Sequence, residues 1–291
     1  MTAILKVDNL TKAFKHFCLN HISFSLRKGC ITGFIGVNGA GKTTTIKAIL
    51  GLIAHDTGTV FFDGQPMENQ ERKIKNRIGF VMDEGYFYDL LTLKEMKSVI
   101  APAYINWDEN AFSAWMKRFD LNPNQKIATL SKGMRMKYAV ALALSHHADL
   151  LIMDEPTSGL DPMMRSELME ILLDFMKEDG KSVFFSTHIT SDLDKVADML
   201  ILIDDGKILF NEEKDVLLDT HALVKGDNEW INEETRSLFL TLHQTPYGFE
   251  GLTNKKSDVR QLMPEAVTVR PSVEDIMLAY IGGGKDVVST H

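Results

Sequence analysis

Over residues 3–210 short apolar runs alternate with longer amphipathic stretches, and this alternation predicts an α/β fold built on a parallel sheet. Residues 3–8 and 22–26 alternate apolar and polar positions and predict strands. ITGFI at 31–35 is a short apolar run that stops at a glycine. The loop GVNGAGKTT follows, and TTIKAILGLI then has helical spacing. GTVFFD at 58–63 and IGFVM at 78–82 predict two more strands. From about residue 85 to 130 the pattern turns helical in TLKEMKSVIA and DENAFSAWMKRF, which reads as an insertion. Strands return at 150–153, 183–186 and 199–203, with helices at 162–178 and 190–197 between them. Asp204-Asp205-Gly206 predicts a hairpin turn into KILF. Beyond residue 210 the periodicity loosens. HALVKG, FEGLTN and AVTVRP read as short strands, INEETRSLFLTLHQ and SVEDIMLAYIG as helices, together a small α/β appendage.

Composition changes this picture little. The chain has 291 residues, 44% hydrophobic and 25% charged, with a net charge of −8. An acidic balance argues against nucleic acid as a partner, since such binders carry a basic face. Two cysteines, Cys18 and Cys30, make no disulfide framework and fit a reducing cytoplasm. No run reaches the roughly 18 apolar residues that a membrane span requires. The first residues, MTAILKVDNLTKAF, lack the apolar core of a leader.

Candidate chemistry begins at residues 36–43, Gly-Val-Asn-Gly-Ala-Gly-Lys-Thr, which match G-x-x-x-x-G-K-[ST] between a strand and a helix. Glycines let the backbone curl so that N–H groups point at phosphate oxygens, and the helix presents its positive end to the same anion. Gly36, Val37, Asn38, Gly39, Ala40, Gly41, Lys42, Thr43 and Thr44 are the expected nucleotide cradle. Lys42 is placed to reach the β- and γ-phosphates, and the Thr43 hydroxyl to ligate Mg²⁺. In LLIMDE an apolar strand ends in two carboxylates, at the sheet edge where α/β folds bind ligands. Asp154 suits Mg²⁺, and Glu155 suits the attacking water. His188 ends the next parallel strand, VFFSTH, and is expected near the same edge, on the γ-phosphate or the water.

Taken together these motifs resemble the ATP-binding subunit of ABC transporters over roughly residues 3–210. That family's signature, Leu-Ser-Gly-Gly-Gln, stands here as Leu130-Ser131-Lys132-Gly133-Met134 at the head of a helix. The resemblance implies a P-loop NTPase fold: a mainly parallel sheet, an N-terminal antiparallel β part, a helical insertion subdomain at about 85–145 and the C-terminal α/β appendage. It divides the chain into an ATP-binding domain, 1–210, and the appendage, 211–291. It further implies that Ser131, Lys132 and Gly133 meet the γ-phosphate of ATP held by a second subunit, in a head-to-tail dimer around two ATP molecules. Phe14 takes the place of the aromatic that stacks on adenine. Gly159-Leu160-Asp161-Pro162 matches the loop that faces the other subunit. Where the family usually has glutamine, Asp83 aligns, with Glu84 beside it; Asp83 is expected to couple to Mg²⁺ and slow hydrolysis.

Weaker features are read more plainly. His146-His147 is a solvated helix end, and the methionines at 134, 136, 163 and 164 are packing residues. Tyr86, Phe87, Tyr88 and Trp107 are either core or the groove that, in the family, accepts a short helix from the membrane subunit. PSVEDIMLAYIGG resembles the C-terminal helix of drug- and antimicrobial-peptide exporters. The resemblance therefore implies an ATPase that uses ATP and Mg²⁺, pairs as a homodimer more readily than a heterodimer, and sits on the inner face of the cell membrane. There it would power a separate permease that exports a drug, an antimicrobial or amphipathic peptide, or a lipid-like compound. Import, action on ribosomes or DNA, and nucleotide-dependent regulation without catalysis are the alternatives.

Overall fold

The computed structural model describes residues 2–82 and 86–282. Strands β1 (Ala3–Ala13) and β2 (Cys18–Arg27) pair antiparallel, with Ile4, Leu5, Val7, Leu19 and Ile22 turned into the core. β3 (Ile31–Ile35) is buried at every position, its polar Thr32 included, as a central strand covered on both faces is, and leads through the glycine loop into α1 (Lys42–Ile49). β4 (Thr57–Phe62) and β5 (Gln65–Pro66) complete an antiparallel sheet of order β2-β1-β4-β5. A short helix, α2 (Glu71–Lys75), precedes β6 (Ile78–Val81).

Three capped helices form the insertion: α3 (Leu93–Ile100), α4 (Glu109–Arg118) and α5 (Lys132–Leu144). Thr92 and Glu95 make a reciprocal capping box at α3, and the Asp108 carboxylate caps α4. The fully buried Tyr138 of α5 donates its hydroxyl to the Leu93 carbonyl at 2.8 Å, which ties α5 to α3. The chain then alternates through β7 (Leu150–Asp154), α6 (Pro162–Phe175), β8 (Ser182–Thr187), α7 (Thr190–Val196), β9 (Met199–Asp204) and β10 (Lys207–Glu213). The central sheet has order β10-β9-β3-β8-β7-β6 and is parallel except for β10. Asp205 and Gly206, with φ of 42° and 69°, make the expected two-residue hairpin.

The C-terminal part comprises α8 (Lys214–Thr220), β11 (Ala222–Gly226), α9 (Glu233–Arg236), β12 (Thr241–Thr245), β13 (Gly248–Thr253), α10 (Lys256–Leu262), β14 (Val267–Val269) and α11 (Val273–Gly282). Its strands form an antiparallel sheet of order β12-β13-β11-β14 over a small core of its own, with Val224, Leu238, Phe249 and Val259 inside. Val273, Ile276 and Met277 of α11 join the main core instead. The helix expected over 231–244 is corrected: only α9 is helical, residues 237–240 turn, and β12 begins at Thr241. Register pairs Thr245 with Gly248, so Pro246 and Tyr247 form the tight turn that commits this stretch to pairing with β13. The expected division at residue 210 falls within β10.

Candidate functional site

The site lies at the C-terminal ends of the parallel strands. β3 delivers the glycine loop, β7 ends in Asp154 and Glu155, and β8 runs into His188. Around the loop is a cavity of about 390 Å³, lined by Asn38, Gly39, Gly41, Lys42, Thr43 and Thr44, with Glu155, His188, Ser158 and Phe17. Gly41 stands at φ 111°, and a Cβ there would come within 2.8 Å of the Phe17 ring, so both the turn and the packing require glycine. The first N–H groups of α1 have no intrahelical acceptor and face an anion site by construction.

Lys42, only 5% exposed, is folded over the loop. Its Nζ donates to the carbonyls of Gly36 at 2.7 Å and Val37 at 3.3 Å. It also lies 3.1 Å from Glu155 Oε1, an ion pair lacking the alignment of a hydrogen bond. The other oxygen, Oε2, is 2.8 Å from His188 Nδ1. Glu155 itself holds φ at 48°, an uncommon conformation for a residue with a side chain, and such strain clusters at functional sites. The sequence-expected cation, carboxylate and imidazole therefore meet in one contact chain.

Asp154 is buried beside them. Burial pushes its carboxyl above the ordinary range, Glu155 adds to that, and hydrogen bonds from Ser186 and Thr43 pull the other way. Ser186 was not singled out by sequence. Its Oγ donates to Asp154 Oδ1 at 2.6 Å and accepts the Glu155 N–H at 2.9 Å, fixing both carboxylate residues from β8. An isolated serine two residues before a histidine carries no signal until the strands are paired. Thr43 and Asp154 offer the hard oxygen donors that Mg²⁺ prefers, and a cation beside a desolvated carboxylate would relieve its burial. Among the described residues no three His, Cys, Asp or Glu converge as a metal cage. One carboxylate and one hydroxyl fit an ion that completes its shell with phosphate oxygens and water.

Other expected residues lie elsewhere. Phe14 is half exposed with its ring centroid 6.4 Å from that of Phe17, and Phe17 lines the cavity. Ser131, Lys132 and Gly133 do not line it. Ser131 Oγ accepts the Met134 N–H at 3.2 Å, the expected cap. Gly133 is buried against the loop before α6 and the first turn of that helix: a Cβ there would lie 2.3 Å from Met164 Cε, so the missing side chain makes room for a thioether of the same chain. The Lys132 side chain lies along Gly159 of that loop. Asp161 caps α6, accepting the N–H groups of Met163 and Met164 at 3.0 Å. Asp83 and its neighbour Glu84 lie outside the described residues.

A larger cavity, about 650 Å³, opens away from the phosphate loop, between the core and the helical insertion. Leu50, Ile78, Phe80, Val99, Ile100 and Leu142 line it, with Arg72 and Lys75 also contributing. Tyr86 and Tyr104 belong to its wall. Trp107 and Phe87 instead pack into the insertion, on Phe112 and Tyr138. Behind the wall the reading of His146 is corrected. It is fully buried, stacked on Tyr104 at 3.9 Å, and its Nδ1 donates to the Asn76 carbonyl at 3.2 Å. Burial lowers its pKa to about 4 and pushes that of Tyr104 up to about 12. His147 alone is solvated, 3.2 Å from Asp108.

Residues 19–158 match the sequence model of the ABC transporter family. The chain is 34% identical over 212 residues to the bacitracin transport ATP-binding protein BcrA of Bacillus licheniformis, covering 72% of this chain and 69% of that protein. It is 32% identical over 215 residues to the lantibiotic transport ATP-binding protein SrtF of Streptococcus pyogenes, covering 73% and 92%. A solved ATP-binding subunit of an ABC transporter superposes with a TM-score of 0.67 at 26% identity, covering 74% of this chain and 92% of that one.

Proposed function

The chain belongs to the ABC transporter family as an ATP-binding subunit and ATPase, and from that premise we propose how its own residues bind and cleave ATP. The observation that carries the reading is the contact chain Lys42–Glu155–His188 beside the phosphate loop. A triphosphate in the loop competes for Lys42, whose present counter-charge is Glu155. As Lys42 turns to the phosphates, Glu155 is released to accept a proton from the attacking water, with His188 holding its other oxygen. Thr43 and Asp154 would hold Mg²⁺, which supplies neutralisation of phosphate charge. Ser186 keeps the two acidic residues in register, and Phe17 with Phe14 offers the aromatic surface for the base.

Cassettes of this family work in pairs and with a membrane-spanning partner. Ser131, Lys132, Gly133 and Asp161 lie outside the chain's own nucleotide cavity, which suits a role at a second subunit's ATP. A homodimer is the simplest pairing because one chain carries both halves. The apolar groove is our candidate seat for the permease, and no helix among the described residues is long and apolar enough to cross a membrane. The seat proposed for the subunit is the cytoplasmic face of the membrane, against that permease. The names of the relatives, with bacitracin and a lantibiotic as cargo, support export of an antimicrobial, drug, amphipathic peptide or lipid-like compound. Within the chain, residues 1–210 serve as the ATP-binding part and 211–291 as an appendage.

Steady-state turnover and a tagged pull-down from detergent-solubilised membranes test this together. Lys42→Ala should abolish ATP binding and hydrolysis, and the parent should bring down a multi-span membrane protein. Turnover that survives Lys42→Ala would refute the site.

A further inference from the structure

Outside the nucleotide cavity one buried charge is only half paired. Asp192, in the first turn of α7, is 1% exposed. Its Oδ1 accepts a bond from Arg165 Nη2 at 2.6 Å, and the same nitrogen is 3.3 Å from Ser191 Oγ. Asp192 Oδ2 and Arg165 Nε are both buried and have no hydrogen-bond partner among the described residues. A guanidinium and a carboxylate make their strongest contact side-on, through two parallel bonds. This pair makes one bond end-on, and the donor and acceptor of the second bond are both left over. Arg165 keeps a quarter of its side chain exposed, but the buried Asp192 carboxylate tolerates such incompleteness at a cost, which needs a reason beyond packing.

Its position supplies the reason. Arg165 is in the first turn of α6, directly behind the loop 158–161, and its backbone N–H donates to the carbonyl of Asp161 at 3.0 Å. Asp192 is four residues beyond His188, and its N–H donates to the Ile189 carbonyl at 3.3 Å. The pair is thus a short bridge from the loop assigned to the subunit interface to the histidine that holds Glu155. We propose that Arg165 and Asp192 are positioning residues for hydrolysis. Seating of a second subunit on loop 158–161 shifts the head of α6, Arg165 closes side-on with Nε on Oδ2, and the head of α7 locks His188 against Glu155. Each site then senses the closure of the dimer through its own chain. The inference rests on the roles proposed above for Glu155, His188 and the paired subunits.

The test replaces the pair by apolar residues of similar size, Arg165→Met with Asp192→Leu, because apolar replacement of a buried pair is often neutral or stabilising. The double variant should unfold at or above the parent temperature and bind ATP with parent affinity. Its kcat should fall by about tenfold to a hundredfold, as misplacement near a reacting group does, and its Hill coefficient for ATP should drop towards one. Arg165→Lys, which keeps the charge and loses the fork, should fall between parent and double variant. A folded double variant with parent kcat and Hill coefficient overturns the proposal. If the double variant fails to fold, Asp192→Asn decides by the same kcat and affinity readings. Lys42→Ala serves as control: turnover surviving it would refute the nucleotide site itself, a failure distinct from that of the bridge.

Discussion

The phosphate-loop cavity and the groove beside the helical insertion are lined by opposite chemistry. The first is walled by backbone, a lysine, a glutamate and a histidine, with a buried aspartate behind it and Glu155 held in a strained backbone conformation. The second is larger and walled mainly by leucine, isoleucine, valine and aromatic side chains, with Glu71, Arg72 and Lys75 along α2. In the first, charges sit in competition: Lys42 is shared among two carbonyls and a carboxylate, so an incoming anion can redistribute them. In the second, Asn76 bonds Arg72, Ile105 and His146 through its side chain and carbonyl, Lys75 pairs with Glu71, and most of the remaining wall is apolar. The larger cavity is therefore the poorer place for chemistry and the better one for a protein segment.

That contrast can be broken at its strongest point first. His188→Ala removes the 2.8 Å hold on Glu155 and should lower kcat roughly 100-fold, with ATP affinity close to parent. A loss in affinity alone would make His188 a binding residue. On the groove side, His146 is kept neutral by burial, with a pKa of about 4 against the ordinary 6.5. An unfolded chain takes up that proton more readily, so the contribution to stability is complete above pH 6.5 and is lost as pH falls towards 4. The loss should approach about 3 kcal/mol, and His146→Phe, which preserves the stack on Tyr104, should flatten the decline in denaturant titrations. An unchanged slope would place the acid sensitivity elsewhere.

A third test charges the groove. Val99→Asp, at a half-exposed position on its wall, should weaken co-purification of the membrane partner at least about tenfold, since burying an unpaired carboxylate opposes docking. Tyr247→Asp, fully exposed on the appendage, should not. Equal effects would remove the groove as the seat. Smallest of all, Gly133→Ala meets only the flexible end of Met164 and should cost about 1 kcal/mol or less in thermal unfolding. A much larger cost would mean that the thioether cannot give way.

The site was legible in sequence wherever its chemistry is contiguous. The glycine loop, LLIMDE and STH each carry strand, turn and functional side chain within a few residues, so local pattern sufficed. What escaped depends on pairing across the chain. Ser186 matters because β8 lies beside β7 and carries its hydroxyl to Asp154. His146 looked like a surface residue because the Asn76 carbonyl and the Tyr104 ring that enclose it come from remote positions. Phe14 and Phe17 flank one short turn, Lys15-His16, and spacing could not say which ring would face the cavity. In the appendage, SLFLTLHQ has helical spacing, but pairing with β13 across the Pro246-Tyr247 turn overrides local preference.

The central claim is that Glu155 cleaves ATP enclosed between two subunits. The most direct measurement is the mass of Glu155→Gln in solution with and without ATP and Mg²⁺, alongside its turnover. The account predicts a species near twice the single-chain mass of 32.7 kDa in ATP, reverting on nucleotide removal, with hydrolysis nearly abolished. A variant that stays at single-chain mass in saturating ATP, or hydrolyses it at the parent rate, would contradict it.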